Sequence, residues 1–298
     1  MLINDLIKLY FHVCHKYKEQ ICWEVQRFSN NGEPQDCITD EELITIYLFC
    51  VAWEEKYKIR SMHTHIKNHW HSWFPTLPSY QAFNARLNKL WEAFPVLLVD
   101  FLSSVSLSSD SLKVLLGDSF PVVTCSHKRP GKVARELTDK GFCATKKLHY
   151  YGVKVHALGL RRPCSLPFPQ YFEMTPASVH DLTAARNVLQ NIGADVTILD
   201  KAYCDAELAE QMQAGNNTLL TPLKDKKGWE AALKQKDQAF TDLFNKAVAT
   251  LRQPIESLFN WINEHTQIQH ASKVRSANGL RLHLFGKLTA ALMKLSNF

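Results

Sequence analysis

Three carboxylates fall where a chain of this kind can do chemistry. Asp200 closes the apolar run Val196–Leu199 in DVTILDKAYCD, Asp118 closes VLLGD, and Glu256 lies in TLRQPIESLFNWINEHT. Each stands at the edge of a different predicted element. An Asp at the exit of a buried strand has an ordinary reading, as the polar end of the strand or a cap for the next element. It also has a chemical one, because open α/β sheets carry their ligands at the carboxyl ends of strands. Asp118 likewise suits a turn ahead of Ser119 and Pro121. Glu256 suits the first turn of a helix started by Pro254, where its charge complements the macrodipole. If the three converge they repel, and at least one is pushed to a raised pKa. A hard divalent cation relieves that repulsion, and Mg²⁺ prefers oxygen ligands completed by water and substrate phosphate. Two such ions about 3.5–4 Å apart activate an attacking hydroxyl and stabilise the leaving oxygen in phosphoryl transfer.

Convergence requires elements that bring the acids together. Residues 1–102 read as helical: Leu2, Leu6, Leu9 and Val13 fall at helical spacing, Thr39 and Glu42 form a capping box ahead of ELITIYLFCVAW, and Tyr80, Phe83, Leu87, Leu90 and Phe94 recur every three or four residues. The serine-rich stretch 103–111 reads as a linker. Beyond it, over 112–298, the pattern changes. SLKVLLGDSFPV is strand-like, and HYYGVKVHALGL and QYFEMT read as consecutive antiparallel strands around a proline-rich loop. A helix ended by Gly193, the strand ending at Asp200, a helix capped by Asp205, the short strand TLLTPL and a long helical region broken near Pro254 and Gly279 come next. Three strands and then alternating helices and strands predict an α/β domain with a mixed sheet flanked by helices, preceded by an all-α N-terminal domain.

The bulk properties narrow the function. The chain has 298 residues, 46% hydrophobic and 21% charged, with no signature of disorder. Asp5 interrupts the apolar start and no run reaches the length of a membrane span, so a cytoplasmic protein without membrane contact is expected. The eight cysteines are scattered without a C-x-x-C pair, which fits free thiols better than zinc or a disulfide framework. Between Ser126 and Arg162 stand ten basic and two acidic residues, including Lys128, Arg129, Lys132, Lys146 and Lys147. That segment carries +8 of a net +6, leaving −2 elsewhere, and favours a polyanion such as nucleic acid. A phosphatase acting on small substrates sits poorly with it.

The blocks GDSFPV, YYGVKVHAL, TPASVHDLTAARNVL, ILDKAYCD and LRQPIESLFNWI, in that order, resemble those of bacterial insertion-sequence transposases of the DDE type. The resemblance runs from about Leu112 to Leu288. It implies an RNase H-like catalytic domain with Asp118, Asp200 and Glu256 as the catalytic acids and metal ligands, and Mg²⁺ or Mn²⁺, two ions, as cofactor. It further implies double-stranded DNA, both element terminal repeats and target, as partner, a homodimer or larger assembly on that DNA, and a nucleoid-associated bacterial location. The resemblance further implies that Arg252 contacts DNA or orients the Glu, and that Lys201 and Tyr203, in the block after the second Asp, contact DNA, with Ala202 where glycine is usual. Ala249 and Asn263 replace the Tyr and the basic residue of the fuller signature, so that the basic role falls to Lys273 or Arg275. The implied activity is cleavage at the ends of the element and transfer of the 3′-hydroxyls. The alternatives are a metal-dependent nuclease without strand transfer, and a non-catalytic DNA-binding protein derived from a transposase.

Overall fold

The computed structural model describes residues 2–25, 37–103, 112–126, 128, 131–143, 147–223 and 231–298. Nearly all of the serine-rich stretch, together with Arg129 and Lys146, lies outside them. The chain divides into two compact units, Met1–Val105 with Lys132–Glu136 and Ile262–Phe298, and Ser106–Gly131 with Leu137–Trp261.

The first unit is helical. Helix α1 (Leu2–Lys16) buries Leu6, Leu9 and Val13, and a π-helical turn (Tyr17–Ile21) leads into the single turn α2 (Cys22–Glu24). Helix α3 (Asp40–Ala52) opens on the predicted capping box: Glu42 N–H donates to Thr39 Oγ1 at 3.2 Å, and Thr39 N–H to Glu42 Oε2 at 2.7 Å. Every residue from Leu43 to Ala52 is buried, because α3 is enclosed by other helices rather than laid on one face. Helices α4 (Ile59–His69), α5 (Tyr80–Lys89) and α6 (Ala93–Ser103) come next. The last helix of the chain, α10 (Ala277–Leu295), also belongs here: Tyr47 donates to the Leu282 carbonyl at 3.3 Å, and Thr289 to the Phe94 carbonyl at 3.1 Å. Contacts thus group Ile262–Phe298 with the N-terminal helices rather than with the sheet.

The second unit carries a six-stranded mixed sheet in the order β2-β3-β1-β5-β6, with β4 also on β3. Strands β1 (Val114–Ser126), β2 (Asp139–Cys143), β3 (Leu148–Leu160) and β4 (Phe168–Pro176) are antiparallel to their neighbours, and β5 (Val196–Ile198) and β6 (Thr218–Leu220) are added in parallel beyond β1. Strand β3 pairs with β2 through its first residues and with β4 through its last, which curls the sheet. Gly152 sits where β3 crosses β1; a Cβ there would run into the carbonyl oxygen of Val122. Helices α7 (Asp181–Asn191) and α8 (Ala206–Ala214) cover one face, where Leu158, Leu189, Leu199, Leu208 and Met212 form a common core. Helix α9 (Ala231–Thr266) lies on the other. There Ile255 and Leu258 come within van der Waals reach of Gly159, and the Phe120 and Phe259 rings are 4.8 Å apart.

Two local expectations need correction. VLLGD does not end a strand at Asp118: β1 continues to Ser126 because β3 pairs with it along its whole length. Pro254 does not start a helix but lies inside α9. Proline removes one backbone hydrogen bond, and burial of Val248, Ile255, Leu258 and Phe259 keeps the helix continuous across the gap. No helix among the described residues is long and apolar enough to cross a membrane, and all eight cysteines are free.

Candidate active site

The sheet register brings the first two acids together. The last parallel rung between β1 and β5 joins Leu116 to Ile198. Asp118 and Asp200 each lie two residues further on, so the two-residue period of strands turns them toward the same face. Past that rung β5 ends, whereas β1 stays paired with β3, Asp118 standing opposite Ala157. The end of the short strand therefore opens a crevice beside the middle of the long one, the type of place where open sheets bind ligands.

Helix α9 brings the third. Ile255, Leu258 and Phe259 anchor it to the sheet, and Arg252 and Glu256, one turn apart, extend over Asp118. Arg252 donates from Nη1 to Asp118 Oδ2 and from Nη2 to Glu256 Oε1, the latter at 2.7 Å. Asp118 Oδ1 also accepts the Ser119 N–H at 2.8 Å. Burial pushes the Asp118 carboxyl up to about 6, the charge of Asp200 pushes the same way, and Arg252 and the Ser119 N–H oppose them. Burial works against the Arg252 charge, but Asp118, Asp200 and Glu256 together hold it protonated. Two acids thus share one internal cation, with a third acid close enough to act on both.

A second polar group lies on the opposite face of β1. Asp181, the first residue of α7, accepts from Ser119 Oγ at 3.1 Å and from Lys154 Nζ at 2.9 Å. His156, opposite Ser119 in the register, is buried and shares a hydrogen bond with Thr175 Oγ1 at 2.8 Å, and burial lowers its pKa to about 4, so it stays neutral. Ser119 links the two groups, its N–H on Asp118 and its hydroxyl on Asp181. The sequence does not join Ser119, Lys154 and Asp181 into a site: His180 and Asp181 stand at a helix start, where a capping role and a functional one are equally open. The one available signal is the HD pair that caps and opens α7, which follows β4, the strand after the one carrying His156.

The other expected site residues are dispersed. Lys201 is exposed in the 3-10 turn (Lys201–Tyr203) after Asp200. Tyr203 needs correction as a DNA contact: it is only 3% exposed and packs with Leu158, Leu199, Leu208 and Met212. Burial, followed by the charges of Asp181, Asp118 and Asp200, raises its pKa, so it backs the acids from beneath. Lys128 and Lys147 are exposed on the sheet unit. Lys132, Lys273 and Arg275 are exposed and belong to the helical unit, where Arg275 folds back onto the carbonyls of Ser272 and Val274 at 3.0 and 2.9 Å.

Among the described residues no three His, Cys, Asp or Glu side chains stand close enough, as placed, to hold a metal ion. The donor set nonetheless fits one. It is all carboxylate oxygen, the preference of Mg²⁺ and Mn²⁺, and Arg252 occupies the position of a cation between Asp118 and Glu256. A curled mixed sheet with acids gathered at the end of its parallel strand, covered by a helix that bears a third, is the architecture of RNase H-like phosphoryl-transfer domains. The family model for the transposase DDE domain matches residues 110–293, well over half of the chain. The chain belongs to that family of transposition enzymes, whose substrate is DNA and which use divalent metal ions. No curated protein and no solved structure gives a significant match.

Proposed function

We propose that the protein cuts DNA at the ends of its own mobile element and joins the freed 3′-hydroxyls to target DNA, with Asp118, Asp200 and Glu256 as metal ligands. The observation that carries this reading is the common placement of Asp118 and Asp200, each two residues past the last β1–β5 rung, under the helix that presents Arg252 and Glu256. Asp118 and Asp200 would hold the metal from the sheet, and Glu256 would complete the set from the helix. Two divalent ions, when bound, supply Lewis-acid activation of the attacking oxygen and stabilisation of the leaving one.

The chain's own residues do the rest. Asp118 is fixed by the Ser119 N–H, and Ser119 is fixed in turn by Asp181. Tyr203 and Leu199 close the floor under Asp200 against water. Arg252 neutralises the acids in the metal-free protein and, once released from Asp118, sits where a DNA phosphate approaches. Lys128, Lys147 and Lys201 would hold the backbone. Because transposition needs two ends in one complex, two or more copies would assemble on the DNA, and the N-terminal helices would serve end recognition or dimerisation.

The test is a cleavage assay on a labelled duplex carrying the sequence that flanks the gene, with and without Mg²⁺ or Mn²⁺. Metal-dependent nicks at the element boundary and joined products are expected from the native protein. Asp118→Asn, Asp200→Asn and Glu256→Gln should each lower the rate by at least about a thousandfold, the scale of losing a principal source of transition-state stabilisation. Nicks without joined products would instead indicate a nuclease. Binding without any cutting would indicate a DNA-binding relative.

A further inference from the structure

The charge of this chain is gathered into two places, and only one of them is the segment between Ser126 and Arg162. Residues 56–91 contain six Lys and Arg and no Asp or Glu. Together the two segments hold a net fourteen positive charges, so the remainder of a +6 chain stands at −8. A merely solvated surface mixes the two signs. This stretch excludes one of them over three consecutive elements, α4, the loop after it and α5.

Helix α4 gives the stretch a shape. Met62 and Ile66 are fully buried and fix its inner face. At about 100° per residue, Arg60, Ser61, Thr64, Lys67 and Asn68 fall within roughly 120° on the opposite side, and all five are exposed. None of them makes an ion pair among the described residues. The nearest preceding acid besides exposed Glu55 is Glu54, which His65 holds at 2.7 Å. Beside this face runs a cleft of about 580 Å³ lined by Lys56, Lys58, Arg60, Ser61, Thr64, His65, Asn68 and His69.

We propose that the outer face of α4 is a duplex-DNA docking surface, inserted in the major groove, with Arg60 and Lys67 on phosphates and Ser61, Thr64 and Asn68 on base edges. The inference deepens the transposase reading and rests on it for the choice of DNA as the polyanion. Dimensions and chemistry agree. An α-helix fits the major groove, which is about 12 Å wide. Cations near both ends of the face match the two flanking backbones, which they would grip without regard to sequence. The three short side chains between them offer both donors and acceptors, and Asn in particular pairs bidentately with adenine.

The experiment uses the full-length chain carrying Asp200→Asn, so that binding is read without cutting. Fluorescence anisotropy follows two labelled duplex probes of equal length, the DNA flanking the gene and a shuffled duplex of equal composition. Arg60→Glu/Lys67→Glu should weaken both by about ten- to a hundredfold and reduce the salt slope by about two, one per phosphate contact. Ser61→Ala/Asn68→Ala should weaken the flanking probe alone, by about five- to fiftyfold. The substituted side chains are exposed, so melting temperatures should match the parent; Arg60→Ala/Lys67→Ala replaces the reversal if they do not. Binding of both probes within twofold of the parent by the charge variants overturns the α4 surface. Native cleavage is scored separately. Cutting that persists alongside unaffected α4 variants sinks this inference alone, and impaired α4 variants without native cutting sink only the transposase reading. A parent that binds neither probe at low salt sinks both.

Discussion

Arg252 and Glu256 lie one turn apart on α9 and meet at 2.7 Å, while the same guanidinium donates to Asp118 on β1. A single cation therefore ties helix to sheet at the point where the acids gather. An ion pair of this kind contributes less through its own attraction than through what its loss would leave, an uncompensated carboxylate in a half-buried crevice.

Arg252→Ala should accordingly destabilise the metal-free protein by about 2 kcal/mol. Millimolar Mg²⁺ should recover most of that loss, because a ligand that binds only the folded state stabilises it by mass action. Thermal melts of both chains with and without Mg²⁺ read this directly, and the metal-induced rise should be larger in the variant. Equal rises would show that Arg252 and the metal do not share the same carboxylates.

Gly117 adjoins Asp118, and a Cβ at that position would overlap the side chains of Leu199 and Leu158. Leu199 precedes Asp200, so Gly117→Ala should push on the residue that sets the second acid. Overpacking of this kind costs about 1–3 kcal/mol, visible in urea denaturation. Metal-dependent cleavage should fall further than the stability loss explains. A variant with native stability and native cleavage would show that Leu199 relaxes freely.

How far the sequence reveals this arrangement depends on whether the deciding contacts are local. The capping box of α3, the alternation in β3 and the apolar run ahead of Asp200 are local, and each element appears as expected. Asp118 reads as a strand end because Ser119 and Pro121 suit a turn; β3 carries β1 through them, and that partner lies some forty residues away. Pro254 reads as a helix start because nothing local says that Ile255, Leu258 and Phe259 hold the helix to the sheet on its far side. Alignment of Arg252 with Glu256 depends on that continuity. The Ser119–Asp181 bond spans 62 residues and leaves no trace in either segment.

Asp181 offers a separate test, since it holds Ser119 and Lys154 without being one of the proposed metal ligands. Asp181→Ala removes both bonds and leaves the Lys154 ammonium beside buried, neutral His156. Destabilisation of about 1–3 kcal/mol is expected from stranding a partly buried charge. Asp181→Asn keeps the Ser119 bond and loses the ionic one, so it should retain more of the cleavage rate than the alanine variant. Equal rates for the two would mean that Ser119 needs no help to position Asp118.

In the helical unit, Lys287 is 2% exposed and donates to the Gln267 carbonyl at 3.2 Å, with the Tyr57 ring 6.0 Å away. Its neighbour His283, hydrogen-bonded to the Ile268 carbonyl at 2.8 Å, is kept neutral by burial, and among the described residues no carboxylate pairs with the ammonium. Burial lowers the Lys287 pKa from 10.5 to about 7. Between those values the unfolded chain binds more protons than the folded one, and stability contributed by this group must rise with pH across that window. From pH 7 to pH 9 the gain is about 2 kcal/mol. Cys50 and Tyr47, whose pKa values burial raises, pull the other way near and above pH 9, so the comparison is made against Lys287→Met in the same buffers. That variant removes the buried charge and should exceed the native protein in stability at pH 7, with the difference closing by about 2 kcal/mol at pH 9. A difference that stays constant with pH would mean that water reaches Lys287 and keeps its pKa ordinary.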